Sequence, residues 1–170
     1  FPDESCLENL LKIMMIENAK AVSPLNLSQT NIDKTANPYW LGRKKTTDRK
    51  FLERKVYRNK LLQLYNGALI TRDLVEEIGF PKTELFLRGD EMDYFYRIRK
   101  SGAKVGLVTS AYFFHPTGEN EFLNKQESIL GVVYPQDIKK RHYQFRNRGY
   151  LIRVHKLRSE EHTSELQSLR

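Results

Sequence analysis

Cysteine is almost absent from this chain. The single Cys6 cannot form an internal disulfide, which fits a reducing compartment and leaves Cys6 as a small hydrophobe beside a helix start. No stretch of about 18 or more apolar residues occurs, so no membrane-spanning helix is written in these 170 residues. The opening Phe1-Pro2-Asp3-Glu4 has no basic start followed by an apolar run, so no secretory leader is expected, and without an initiator methionine the true N-terminus is expected upstream. There is no internal repeat and no low-complexity block. Acidic residues are the minority, 21 against 29 Lys and Arg, and the net charge of +8 points to an acidic partner: nucleic acid, an anionic membrane surface or a phosphate-bearing substrate. What is present is a globular composition, 39% apolar with nine tyrosines and nine phenylalanines spread along the chain, at a length suited to one domain.

Periodicity predicts a helix over residues 3–19, with Leu7, Leu10, Leu11, Met14 and Met15 on one face and Asp3 or Ser5 as its cap. An Ala21-Val22 segment is expected to end at Pro24. From Ser28 to Arg58 the chain turns polar and basic, with Arg43, Lys44, Lys45, Arg49, Lys50, Arg54, Lys55 and Arg58 close together, and reads as a long excursion with a short helix near its end. Leu61–Ile70 reads as a strand broken at Gly67, followed by a short helix from Thr71 or Asp73 to Ile78 that Gly79 closes. Asp90–Lys100 is a second helix, Val105–Phe114 two short strands broken near Thr109-Ser110, residues 117–126 a polar loop, and Ile138–Val154 a basic, aromatic-rich helix.

Three features carry chemistry: Gly67 in an apolar segment, the acids of Gly89-Asp90-Glu91-Met92-Asp93 opening a helix, and His115 closing a strand. Singly, each has an ordinary structural explanation, since acids suit a helix N-terminus and a glycine can mark a bulge. Their order is more specific. Tyr65-Asn66-Gly67-Ala68, then Gly79-Phe80-Pro81, then Arg88-Gly89-Asp90-Glu91-Met92-Asp93-Tyr94 with Arg97, Gly102 and His115-Pro116 resembles the second half of a family-two glycosyltransferase, in the rhamnosyltransferase and galactofuranosyltransferase branch. The opening segment through Leu11 and the His142–Asn147 run, with Arg146 and Asn147, extend the resemblance, which is best over residues 60–150.

The resemblance implies an α/β domain of the GT-A nucleotide-sugar transferase type, with a mostly parallel sheet and flanking helices, of which residues 1–157 are the acceptor-side half. It implies inverting transfer of a sugar from a nucleotide-sugar donor to a hydroxyl of a cell-surface glycan or lipid-linked glycan acceptor. The site would lie at the cytoplasmic face of the membrane, with peripheral membrane association and no nucleic-acid partner. Such chemistry needs a base for the acceptor proton and a counter-charge for the departing diphosphate. By the resemblance Glu91 is the base, standing where the family usually has aspartate, with Asp90 as the alternative; Asp93 meets acceptor hydroxyls or orients the base. His115 joins paired aspartates, expected just before Phe1, in holding Mn²⁺ or Mg²⁺. Asn66 and Gly67 line the sugar site, Gly67 by allowing close backbone approach. Trp40 is a candidate sugar-stacking ring, and the basic cluster a candidate contact for a diphosphate or anionic lipid, with core packing and a solvated face as the structural alternatives. Residues 1–157 alone are expected to be inactive.

Residues 158–168 resemble a translated sequencing-adapter oligonucleotide, so 158–170 are expected to be non-native, leaving +9 on residues 1–157. The competing class is a basic nucleic-acid-binding module, using the Arg/Lys cluster for phosphates and aromatic rings for stacking. Against it stands a helix that opens with three acids, which would repel a phosphate backbone.

Overall fold

Eight consecutive buried residues, Ala21–Ser28, form the central strand β1, which has neighbours on both edges and packing on both faces. The computed structural model describes residues 2–42, 44–117 and 135–155. In chain order the elements are α1 (Cys6–Ile16), β1 (Ala21–Ser28), β2 (Lys34–Leu41), β3 (Lys44–Asp48), the single turn α2 (Arg49–Leu52), β4 (Tyr57–Asn59), β5 (Leu69–Ile70), α3 (Arg72–Ile78), α4 (Asp90–Lys100), β6 (Val105–His115) and α5 (Ile138–His155). The sheet order is β3-β2-β1-β6-β4, with β5 also paired to β1.

The α/β class holds, but the sheet is mixed rather than mostly parallel. Only β1 and β6 run parallel; the β1–β2, β1–β5, β2–β3 and β4–β6 pairs are antiparallel. The polar excursion supplies this difference. Strands β2 and β3 form a hairpin, and the exposed Lys34, Lys44, Lys45 and Thr47 suit a solvated edge. Arg43 lies outside the described residues, as do residues 118–126 of the expected polar loop and the whole of 158–170.

Pro24 does not end β1. It cannot donate to a ladder, and the chain accommodates it by a register shift: Pro24 pairs with Val108 but Leu25 with Tyr112, so Thr109–Ala111 bulge from β6. The expected pair of short strands is therefore one strand with a bulge at the foreseen position. The segment before Gly67 is also not a strand; only Leu69–Ile70 pairs, while Leu61–Leu64 is buried and held by side chains.

Helices cover both faces. Cys6, Leu10 and Met14 of α1 pack on Val22, Val108 and Ala111, while Leu74 of α3 and Tyr94, Phe95 and Ile98 of α4 pack with Ala21, Leu62, Leu64 and Val105. The buried face of α1 is thus narrower than its apolar pattern; Leu7, Leu11 and Met15 are exposed. Thr71 and Gly79 bound α3 as expected, and Gly79 takes a φ of +75° that favours glycine. Helix α4 has Asp90, Glu91 and Asp93 in its first turn and Arg97, Arg99 and Lys100 in its last, matching the helix dipole at both ends.

Candidate active site

Two short loops frame the start of α4, and both are held in backbone conformations that side chains usually avoid. Tyr65 (φ 62°) and Gly67 (φ 82°) form one; Phe86 (φ 51°), Arg88 (φ 62°) and Gly89 (φ 100°) form the other. Left-handed non-glycine residues cost about 1 kcal/mol or more each, so the surroundings must hold them. For the second loop α5 does this. Asn147 is buried, and its Nδ2 donates to the carbonyls of Leu85 at 2.7 Å, Leu87 at 3.0 Å and Arg88. Arg146 donates to the Glu84 carbonyl and lies 4.6 Å over the Tyr143 ring. A Cβ on Gly89 would come within 3.0 Å of Asn147 Cβ and 3.3 Å of Leu151 Cδ1, so glycine is required by space as well as by φ.

The first loop is fixed from below by a buried polar network. Gln63 N–H donates to Ser23 Oγ at 3.0 Å, and its side-chain carbonyl accepts from Asn26 Nδ2 and, at 2.9 Å, from the Tyr39 hydroxyl. The Tyr39 oxygen in turn accepts from Asn26 N–H at 3.2 Å. Asn26 Oδ1 is buried without a partner among the described residues. Gly67 rests on β6 and β1: a Cβ there would lie 3.0 Å from the Phe113 ring and 3.3 Å from Pro24 Cγ.

Glu91 stands between the two loops. It is half-buried, and loss of water around it, reinforced by the Asp90 carboxylate, pushes its carboxyl up to about 7, although the Leu64 backbone N–H and the charge of Arg88 favour ionisation. The same two carboxylates, with burial as the larger cause, push the Tyr65 phenol above its ordinary value, which sets that half-exposed ring beside them. A carboxylate that titrates near neutrality can take up a proton in one step and release it in the next.

Asp93 does not join Glu91 and Asp90. Its side chain is 1% exposed, one oxygen bound by Arg97 Nε and the other by His155 Nε2, both at 2.9 Å. Arg97 also donates to the Ile78 carbonyl at 2.6 Å and the Phe80 carbonyl at 2.9 Å. Asp93 is therefore a buried tie between α4, the end of α3 and α5, with no oxygen free for a sugar hydroxyl. Trp40 is also separate from the acids: it lines a cavity with Tyr57, Arg58 and Lys60, and Lys45 Nζ lies 5.9 Å over its ring. Its neighbour Tyr39 is the one that reaches the Glu91 side.

His115 is the last residue of β6, opposite Ser28. Its Nδ1 donates to the Pro116 carbonyl at 2.7 Å, which leaves Nε2 to present a lone pair, the form in which imidazole ligates metals. Among the described residues no group of three or more His, Cys, Asp or Glu could hold an ion, so His115 alone does not make a divalent-cation site.

Sequence reading missed the roles of Gln63, Asn147 and His155. The resemblance had singled out Arg146 and Asn147 without a chemical task; their task is to clamp the loop that presents Glu91. Gln63 and His155 have no motif around them and are legible only from the packing.

No protein-family model matches the chain. Over 92 residues it is 39% identical to a galactofuranosyltransferase of Mycolicibacterium smegmatis and 37% identical to that of Mycobacterium tuberculosis. Each match takes in 54% of this chain and 30% of the relative, so the matched stretch spans under a third of the curated relatives' length. Over that stretch the chain is homologous to glycosyltransferases. No helix among the described residues is long and apolar enough to cross a membrane.

Proposed function

We propose that this chain is the acceptor-side part of an inverting glycosyltransferase of GT-A type, which transfers a sugar from a nucleotide donor to a hydroxyl of a cell-surface or lipid-linked glycan. The similarity to galactofuranosyltransferases supports the reaction class and makes a nucleotide-linked galactofuranose the first donor to test. The observation that carries the mechanism is Glu91, a half-buried carboxylate held by the Leu64 N–H and titrating near neutrality at the mouth of two strained loops.

In the reaction, the acceptor hydroxyl gives its proton to Glu91 as its oxygen attacks the anomeric carbon. The bond from that carbon to the donor phosphate breaks, the nucleotide diphosphate leaves with the electron pair, and configuration inverts. Asp90 keeps the Glu91 carboxyl basic enough to accept the proton, through like-charge repulsion. Tyr65, Asn66 and Gly67 form the wall along which the acceptor lies. A requirement for Mn²⁺ or Mg²⁺ belongs to the reading of the longer enzyme. The ion would neutralise the departing diphosphate. Pro2 bridges antiparallel to Phe113, so a chain continuing upstream of Phe1 would run along β6 toward His115 and could add ligands there. The described residues alone do not complete such a site. The reading places the reaction at the cytoplasmic face of the membrane, with peripheral association.

The test uses the full-length enzyme, assayed against nucleotide sugars with Mn²⁺ or Mg²⁺. Glu91→Gln is expected to lower the transfer rate by about a hundredfold to ten-thousandfold with donor affinity kept. Wild-type kcat/KM should rise with pH through about 7. Equal rates for wild type and Glu91→Gln would remove Glu91 from the base role and leave Asp90 for it.

A further inference from the structure

Residues from the end of β2, from β4 and from the C-terminal cap of α1 line a cavity of about 460 Å³ that shares no residue with the surroundings of Glu91 described above. Its lining includes Trp40, Lys55, Tyr57, Arg58, Lys60 and Lys104. The one acid in the lining, Glu17, is paired with Lys104 at 2.9 Å and so offsets that charge alone. Arg58 is fixed by donating to the Leu52 carbonyl at 2.6 Å and to the Phe51 carbonyl, neutral acceptors that leave its positive charge uncompensated. Lys55 and Lys60 are exposed, and neither side chain has a hydrogen bond or ion pair among the described residues.

The backbone holds this arrangement against its own preferences. Lys60 sits at φ 69°, a conformation that asparagine or glycine adopts more readily, pinned by its N–H to the Val105 carbonyl at 2.8 Å. Tyr57 is seated flat on β6 because position 106 is glycine; a Cβ there would come within 2.1 Å of the ring. Like charges lining one cavity repel, so an anion bound among them is favoured.

We infer that this cavity binds a phosphate-bearing ligand, its phosphate or diphosphate oxygens held by Lys55, Arg58 and Lys60 and its organic part laid against Trp40. The inference stands apart from the reading of Glu91. The phosphate can belong to a soluble molecule or to a lipid headgroup, and the two sources are separable by experiment.

Trp40 is the sole tryptophan, so its fluorescence reports this cavity directly. The purified 170-residue chain is titrated with pyrophosphate and with uridine diphosphate, and separately with vesicles of phosphatidylglycerol or phosphatidylcholine, calorimetry running in parallel. A saturable change in emission is expected with a soluble diphosphate or with the anionic vesicles only. Lys60→Asn and Lys55→Ala should each weaken it about tenfold, as loss of one charge-assisted contact implies, with the melting temperature kept, because asparagine tolerates the left-handed backbone and Lys55 is exposed. Response to the soluble diphosphates assigns a soluble ligand; response to anionic vesicles alone assigns a headgroup. The inference is overturned if none of these probes changes emission or releases heat, or if both lysine variants bind as wild type does.

Discussion

The loops around Glu91 and the Trp40 cavity both carry charge and left-handed residues, yet they treat charge in opposite ways. On the buried side of α4 the ions are satisfied inside the protein: Asp93 by Arg97 and His155, and Arg97 also by two carbonyls. Around Trp40 the lysines are exposed and face one acid that is already paired. Buried, satisfied charge holds a shape, whereas exposed, unsatisfied charge waits for a ligand. Only Glu91 crosses this division, being a half-buried acid whose ionised form the fold does not stabilise.

That contrast can be broken by mutation, and the largest effect should come from Asp93→Ala. It strands Arg97 and His155 in a buried setting and is expected to destabilise by about 3–5 kcal/mol, read as a lowered urea midpoint. Asn147→Ala removes the donor to three carbonyls and releases the strained loop, with an expected loss of about 2–3 kcal/mol in the same measurement.

Glu91→Gln should go the other way, because burial disfavours the charged form. The unfolded chain releases this proton near the ordinary glutamate value, while the folded protein keeps it until about 7. Wild type therefore loses stability relative to Glu91→Gln as pH rises from about 4.5 to 7. The gap should reach about 1–3 kcal/mol by pH 8 and close below pH 4, in paired denaturation curves. A gap that widened toward acid would show that Glu91 is stabilised as an anion. The smallest effect is expected at Arg72→Ala, which breaks the exposed pair with Glu76 and should stay within about 0.5 kcal/mol.

The α3 and α4 boundaries were legible because local signals set them: a threonine cap, closing glycines, and acids and bases at the correct helix ends. The bulge in β6 was legible as a break, but its cause, Pro24 some 85 residues earlier, was not. The basic excursion was misread because the hairpin's solvent-facing residues carry little apolar alternation, and the hairpin, together with the antiparallel β4–β6 and β1–β5 pairs, makes the sheet mixed. For the candidate site, Glu91, Asp90 and Gly67 were singled out through the order of motifs. Asp93 looked equivalent to its neighbours in sequence, and only the packing of α5 shows that it is sealed away. Trp40 drew notice as a candidate sugar-stacking ring beside the basic cluster, and only the fold shows that it lines a different cavity with Tyr57, Arg58 and Lys60.

The parallel seam between β1 and β6 sets a schedule for synthesis. Its paired positions lie more than eighty residues apart in the chain, whereas the β2–β3 hairpin closes over a handful. On a ribosome the hairpin can form as soon as it leaves the tunnel, but β1 must wait, with its apolar edge open, until residue 115 has emerged. During that interval one edge of β1 stays unpaired, the hazard that nascent-chain chaperones meet, and Pro24 in its middle blunts that edge as a template for a neighbouring polypeptide.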